Sequence, residues 1–259
     1  MADIAIIGLG NMGGALARGW GTTHVVYGYD PNVHQDALGP HVQLTSSANE
    51  AVSKAQYVIL AVKPQIAEAV TRGLGLPAGA VLVSVAAGIP VARLKEWSGG
   101  APVVRVMPNT PALIGQGVFA LCLDDPDLSD EAKTTVPSLF AGLGQTHILP
   151  ERLLDAYTGL IGSGPAYVFA FMEALIDAGV LVGIARPEAT AMVRALIAGS
   201  VAMTQEPGAH PALLREAVTS PGGTTIAGLA ALDACGFRHA IFEAVRAATR
   251  RSEELGRGA

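Results

Sequence analysis

Two glycine-containing segments carry residue types that can bind small anions through the backbone. The first is TSPGGTTIAG, residues 219–228, which precedes an apolar, helix-like run. Paired glycines let bare backbone amides converge on an anion at a helix N-terminus, where the helix dipole also favours negative charge. A structural interpretation is equally open, because Ser and Thr are good N-caps and Pro is tolerated in a first helical turn. This segment alone therefore leaves an anion site and a helix cap as alternatives.

The second segment is IAIIGLGNMGGALARG, residues 4–19, in which three glycines have the G-x-G-x-x-G spacing between a strand-like run and a helical pattern. Gly8 permits a tight turn, Gly10 lets the backbone approach a pyrophosphate, and Gly13 allows close packing of the helix on the strand. In this context the motif predicts a dinucleotide site rather than a purely structural glycine turn. The residues expected to contact the cofactor are Gly8, Leu9, Gly10, Asn11, Met12 and Gly13.

An acidic residue, Asp30, ends the next strand-like run, VVYGYD. A carboxylate at this place accepts hydrogen bonds from a ribose 2′-hydroxyl and repels a 2′-phosphate. Residues 30–41 contain no Lys or Arg that would bind such a phosphate. The sequence therefore favours NAD(H), with NADP(H) still possible. The alternative is an Asp-Pro turn in which Asp30 only caps the following segment.

These residues need a sheet and helices to position them. The N-terminal half alternates short apolar runs with amphipathic stretches, which is typical of a parallel sheet covered on both faces. From about Glu151 no strand pattern remains, and helical stretches follow one another over residues 165–181, 187–204 and 236–255. We predict an α/β protein with a Rossmann dinucleotide-binding domain over residues 1–151 and an all-helical domain over residues 152–259.

Composition limits the partners. Half of the 259 residues are apolar and 15% are charged, which predicts a subunit interface. The net charge of -5, without a basic stripe, argues against nucleic acid. Cys122 and Cys235 lack ligand spacing, so no disulfide or metal site is predicted and a reducing cytoplasm is expected. The longest apolar run contains Glu173 and Asp177, which favours burial of this run against protein over a membrane span. We interpret this acidic pair as polar residues of a helix or of an interface, not as catalytic carboxylates.

Five motifs in order give the sequence a family resemblance. They are GLGNMG, LAVKPQ, MPNTP, GSGPAY and SPGGTT, and the similarity runs from residue 4 to about residue 255. Together they resemble pyrroline-5-carboxylate reductase. The resemblance implies a Rossmann domain followed by a helical dimerisation domain that interleaves with its copy, with rings of dimers in many members. It also implies that NAD(P)H reduces the cyclic imine 1-pyrroline-5-carboxylate to L-proline, the last step of proline biosynthesis.

The same resemblance assigns site residues. It implies that Ala61, Val62, Lys63 and Pro64 lie along the dinucleotide and that Asn109 approaches the nicotinamide, although AVKP could be a strand-ending turn and Asn109 a turn residue. It makes SPGGTT the cradle for the substrate carboxylate, for which neutral, directional donors suit better than a lysine. Thr225 is the catalytic candidate, and it either donates a proton to the imine nitrogen or only orients it. The implied substrate contacts are Ser220, Gly222, Gly223, Thr224 and Thr225.

Three other functions were weighed against this one. A β-hydroxyacid dehydrogenase would use a lysine on the helix containing GSGPAY, but no lysine follows Lys133. A related reductase could act on another cyclic imino acid. A non-catalytic dinucleotide-sensing module would keep the cofactor loop without an intact substrate loop, so SPGGTT argues against it.

Overall fold

The structure is a computed structural model that describes residues 1–38 and 40–257. It contains an eight-stranded sheet with the strand order β3-β2-β1-β4-β5-β6-β7-β8. All neighbouring strands are parallel except β6 and β7, which are antiparallel. The strands are β1 Asp3–Ile7, β2 Val25–Tyr29, β3 Val42–Leu44, β4 Tyr57–Leu60, β5 Val81–Ser84, β6 Val103–Met107, β7 Gly117–Cys122 and β8 Gly144–Ile148. This arrangement confirms the predicted α/β class and dinucleotide-binding topology.

The sheet is apolar on both faces because helices cover both faces. Along β1, Ile4 and Ile6 belong to one hydrophobic core cluster, whereas Ala5 and Ile7 belong to the other. The helices of this part are α1 Asn11–Gly21, α2 Ala48–Val52, α3 Pro64–Arg72, α4 Val91–Trp97, α5 Asp130–Ala141 and α6 Leu154–Tyr157. The strand order reverses at β1, because β2 and β3 lie on one side of it in the sheet and β4 lies on the other. Ligands of such sheets bind at the carboxyl ends of the strands at this point.

Three strands were not indicated by the sequence pattern. The first, β3, is only three residues long, and β8 has the sequence GQTHI, which is polar and partly exposed because β8 is an edge strand. The third, β7, is buried along almost its whole length and runs antiparallel to β6. Short and edge strands such as β3 and β8 lack the apolar signal on which pattern recognition depends, whereas β7 is apolar and internal to the sheet and its pattern was overlooked.

The second half of the chain is helical, as predicted. The remaining helices are α7 Gly164–Leu181, α8 Arg186–Met203, α9 Pro211–Ala217, α10 Thr224–Ala234 and α11 Phe237–Arg257. Contacts divide the chain into one unit of Met1–Pro165 plus the segment from Val245, and a second unit of Ala166–Ala244. A domain boundary after residue 151 stays a prediction.

The C-terminal part of α11 is attached to the first unit by polar and close backbone contacts. Ser252 Oγ donates to Asp155 Oδ1 at 2.6 Å, and Asp155 Oδ1 lies 3.8 Å from Nη2 of the buried Arg105. A Cβ added at Gly88 would lie 3.2 Å from the Gly256 nitrogen. The C-terminal part of α11 therefore belongs to the first unit.

The helix α7 is not buried within one chain. It contains no buried residue, and Phe169 is 63% exposed. The helical stretch Glu151–Leu181 is long and apolar enough to cross a membrane by length and composition, with 6% of its most apolar window buried. The expected burial against protein is therefore not provided by this chain itself.

Candidate dinucleotide and substrate sites

The loop between β1 and α1 has the geometry that a pyrophosphate site requires. Gly8 has φ +94°, and a Cβ added there would lie 2.8 Å from the Ala61 carbonyl oxygen. A Cβ at Gly13 would overlap the Gly8 carbonyl oxygen. At Gly10, the N-cap of α1, an added Cβ meets no atom within 4 Å. Two glycines thus serve close packing, whereas Gly10 leaves open space at the helix N-terminus, where an anion binds.

Asp30 is tied to this loop. Its Oδ2 accepts from the Leu9 N–H at 2.9 Å, and its Oδ1 accepts from the Asn32 N–H at 2.9 Å. The bond from Asn32 forms the Asp-Pro turn that was the alternative role of Asp30. The bond from Leu9 holds the carboxylate beside the glycine loop. The side chain of Leu9 is 4% exposed and packs in the core. Leu9 therefore contributes to this region through its backbone.

A cavity of about 380 Å³ lies next to Asp30, between the end of β2 and the helix α3. Its size and apolar wall suit an adenine ring, since ligand pockets are mostly apolar with few polar groups. Sequence reasoning missed this wall, because Ile66, three residues after the LAVKPQ lysine, is an ordinary apolar helix residue in the sequence and only the structure shows it exposed. The lining includes Asp30, Pro31, Val62, Ile66, Val70 and Leu74.

The LAVKPQ motif lies at the carboxyl end of β4, against the glycine loop. The Ala61 N–H donates to the Ile7 carbonyl at 2.8 Å, and Val62 Cγ1 lies 2.9 Å from a Cβ added at Gly8. Lys63 is the N-cap of α3, and Pro64 occupies its first turn. The structure therefore brings together three predicted segments: the glycine loop, Asp30 and the end of β4.

Asn109 lies farther along the same edge of the sheet, directly after β6. It is 7% exposed, and its Oδ1 accepts from the Val118 N–H at 2.9 Å. Its Nδ2 donates to no partner among the described residues. The Val118 carbonyl accepts from the hydroxyl of Tyr157 at 2.6 Å, a contact that no sequence signal indicated. Burial raises the pKa of Tyr157, so its hydroxyl remains a donor.

The SPGGTT loop lies in the second unit, immediately before α10. Gly222 has φ +65°, and Gly223 is the N-cap of α10 without any side-chain cap. In the described part of the chain, the hydroxyls of Ser220, Thr224 and Thr225 make no hydrogen bond. The helix-cap interpretation of these hydroxyls is therefore wrong. The first amides of α10 lack intrahelical partners, as at any helix N-terminus, and this leaves both amides and hydroxyls available.

Side chains that could support other chemistry are sparse. Within residues 1–38 and 40–257, no group of three or more His, Cys, Asp or Glu side chains could hold a metal ion. Both cysteines are free; burial raises the pKa of the Cys122 thiol to about 11, and Cys235 is exposed. Neither thiol is part of the segments described above.

Comparison with known proteins gives matches along the whole chain. Residues 151–255 match the family model described as pyrroline-5-carboxylate reductase dimerisation, and residues 3–88 match NADP oxidoreductase coenzyme F420-dependent. The pyrroline-5-carboxylate reductase of Synechocystis sp. is 39% identical over 98% of both chains. That of Arabidopsis thaliana is 39% identical over 97% of this chain and 95% of its own.

A solved structure extends the match to three dimensions. The Plasmodium falciparum pyrroline carboxylate reductase, crystallised with NADP bound, has a TM-score of 0.90 and 32% identity over 98% of both chains. The motifs, the sheet topology and these full-length similarities agree, and the chain belongs to the pyrroline-5-carboxylate reductase family.

Proposed function

We propose that this protein reduces 1-pyrroline-5-carboxylate to L-proline with a reduced nicotinamide dinucleotide. The observation that carries the proposal is the start of α10, where a glycine N-cap leaves backbone amides and three hydroxyls without partners. This is a binding site for a small carboxylate, and full-length similarity to pyrroline-5-carboxylate reductases supports the choice of substrate.

The dinucleotide would lie along the carboxyl edge of the sheet. The open space at Gly10 and the N-terminal amides of α1 suit the pyrophosphate, and the cavity beside Asp30 suits the adenosine. Ala61, Val62, Lys63 and Pro64 follow β4 in the direction of the nicotinamide. Asn109 would then offer its free Nδ2 to the nicotinamide end.

The substrate carboxylate would lie in the SPGGTT loop. The amides of Gly222, Thr224 and Thr225 and the hydroxyl of Ser220 supply neutral donors, which stabilise the negative charge and fix its orientation. The Gly223 amide, also expected from the sequence to contact the carboxylate, instead donates to the Ser220 carbonyl at 3.1 Å. Each charge-assisted hydrogen bond of this kind contributes roughly 1.5 to 3 kcal/mol. The hydroxyl of Thr225 would contact the ring nitrogen.

When bound, the reduced nicotinamide supplies the hydride. The hydride adds to the imine carbon, the C=N double bond becomes a single bond, and a proton completes the ring amine. Thr225 either donates this proton or holds the nitrogen of an already protonated imine. The protein otherwise only has to position the imine and the nicotinamide, so the site needs no strong general base.

One assay tests this function directly. Purified protein is mixed with synthetic 1-pyrroline-5-carboxylate and NADH or NADPH, and both dinucleotide oxidation and proline formation are measured. Equal yields of oxidised dinucleotide and proline are expected. Absence of imine-dependent oxidation with either dinucleotide rejects the proposal, and faster turnover of the six-membered homologue would instead indicate another cyclic imino acid.

We also propose that NADH is the preferred cofactor, because Asp30 is held beside the glycine loop and would repel a 2′-phosphate. Asp30→Ser is expected to shift the ratio of kcat/KM values for NADH and NADPH by about tenfold toward NADPH. Asp36→Ser removes the same charge from an exposed position nearby and serves as the control. A wild-type preference for NADPH would contradict this assignment.

The helical region self-associates, and we propose an obligate dimer, with rings of dimers as a further possibility, in the cytoplasm. The exposed apolar side chains of α7 support this. Phe169→Glu is expected to lower the molar mass measured by light scattering at micromolar concentration. Ile148→Glu, in an edge strand with the same 63% exposure, is the matched control. A monodisperse wild-type monomer would exclude the dimer.

A further inference from the structure

Two buried side chains hold the backbone of Val118, at the start of β7, through its N–H and its carbonyl. Its N–H donates to Asn109 Oδ1 at 2.9 Å, and its carbonyl accepts from Tyr157 at 2.6 Å. Both side chains are 7% exposed. Asn109 and Tyr157 are therefore linked through one residue, although they come from opposite ends of a long stretch of sequence.

This link determines the direction in which the Nδ2 group of Asn109 can donate a hydrogen bond. An amide side chain is planar, so binding Oδ1 to Val118 fixes the direction of Nδ2. The Nδ2 group has no partner in residues 1–38 and 40–257. The N–H and the carbonyl of Val118 belong to successive peptide groups joined at its Cα. A shift of the carbonyl would therefore turn the N–H through the Val118 backbone torsions and rotate this donor, whereas a fixed Val118 backbone keeps it in one orientation.

Tyr157 is directly followed by an unusual helical turn. A π-helical turn, Thr158–Gly162, directly follows this tyrosine, with the Ser163 N–H donating to the Thr158 carbonyl at 2.8 Å. Such turns are rare and are frequent at functional sites. This one has close neighbours on two sides, because a Cβ added at Gly162 would lie 3.1 Å from Met107 Cε, and one at Gly159 would lie 2.9 Å from the Val245 carbonyl oxygen.

We propose that Tyr157 is a positioning residue that orients the Asn109 amide toward the nicotinamide by holding the backbone of Val118. The inference rests on the proposed function, since it assumes that Asn109 is near the reacting end of the dinucleotide. The ring of Tyr157 belongs to a buried hydrophobic cluster that also contains Leu154, so loss of its hydroxyl frees the Val118 carbonyl without removing the ring.

The test is Tyr157→Phe. We expect kcat/KM for the imine to fall about tenfold, the scale of a small misplacement of a reacting group. Affinity for NADH should fall, whereas affinity for ADP-ribose, which lacks the nicotinamide, should stay within twofold of wild type. Tyr57→Phe is the matched control: the hydroxyl of Tyr57 is buried without a partner, so its removal should leave both kinetics and affinities unchanged.

A double-mutant cycle separates positioning from a merely structural bond. If Tyr157 acts through Asn109, then Tyr157→Phe should change kcat/KM by less than about twofold in an Asn109→Ala background. A lowered melting temperature with wild-type kinetics in Tyr157→Phe, or an undiminished tenfold loss in the Asn109→Ala background, would overturn the proposal.

A second variant reaches the same question without altering Tyr157. Asn109→Asp keeps an oxygen acceptor for Val118 and removes the Nδ2 donor, so it should weaken NADH binding and not ADP-ribose binding. Wild-type behaviour of this variant also overturns the proposal. If the wild-type protein binds NADH and leaves the imine unreduced, the proposed function fails. The role of Tyr157 is then still decided by comparing the ratio of NADH to ADP-ribose affinity in Tyr157→Phe with that in the wild-type protein.

Discussion

We expect the Gly10→Val protein to fold and to lose measurable NADH binding. A Cβ at Gly10 meets no protein atom within 4 Å, so the added side chain has room in the unliganded protein. The same space is where the pyrophosphate would approach the α1 amides, and a branched side chain there excludes it. The dissociation constant for NADH should rise at least a hundredfold, a loss of roughly 2.7 kcal/mol.

The control for this prediction is Gly13→Val, in which the new Cβ overlaps the Gly8 carbonyl oxygen. That variant should lose stability as well as binding. The structure therefore separates the two variants: only Gly13→Val creates an overlap with the protein itself. Calorimetric NADH titration and thermal unfolding of both proteins check the pair; tight NADH binding by folded Gly10→Val would remove the cofactor site from this loop.

The second large effect is expected for Thr225→Ala. If Thr225 contacts the imine nitrogen, kcat/KM for the imine should fall about tenfold to a hundredfold, the loss of one hydrogen bond of roughly 1.5 to 3 kcal/mol. Because the Thr225 hydroxyl makes no hydrogen bond among the described residues, the melting temperature of the variant should stay near that of wild type. The NADH dissociation constant should also remain unchanged.

Thr224→Ala is the comparison variant, since it removes a neighbouring hydroxyl from the same helical turn and keeps the Thr224 amide, the group proposed to contact the carboxylate. A lowered melting temperature with unaltered imine kinetics in Thr225→Ala would show that this hydroxyl serves the helix and not the substrate. A loss of NADH affinity equal to the loss of imine turnover would place Thr225 in the cofactor site.

Local spacing explains why the cofactor loop could be predicted from sequence. The functions of Gly8 and Gly13 follow from neighbours within a few residues and from the next strand, so the motif itself contains most of the information. Asp30 was also predictable, because it ends a strand, although only the structure shows its bond to Leu9. The N-cap of α10 was less predictable: it is Gly223 and not a hydroxyl residue. Two adjacent glycines allow several backbone conformations, so the sequence did not indicate at which residue the helix begins.

Other parts depend on contacts between distant segments and could not be predicted. The bond from Tyr157 to Val118 joins residues 39 positions apart, and nothing in either neighbourhood indicates the other. Ile66 becomes part of a cavity wall only when α3 packs beside the end of β2. Likewise, β8 pairs with β7 although its sequence is polar, because an edge strand with one exposed face needs few apolar residues.

The return of α11 to the first unit makes the second unit an insertion with two covalent connections. The chain enters it within α7 and leaves it within α11, so both connections are helical and not loops. A single proteolytic cut at either connection would leave the two units covalently joined. Exchange of the helical unit between relatives accordingly requires two splice points, each placed inside a helix with its register preserved.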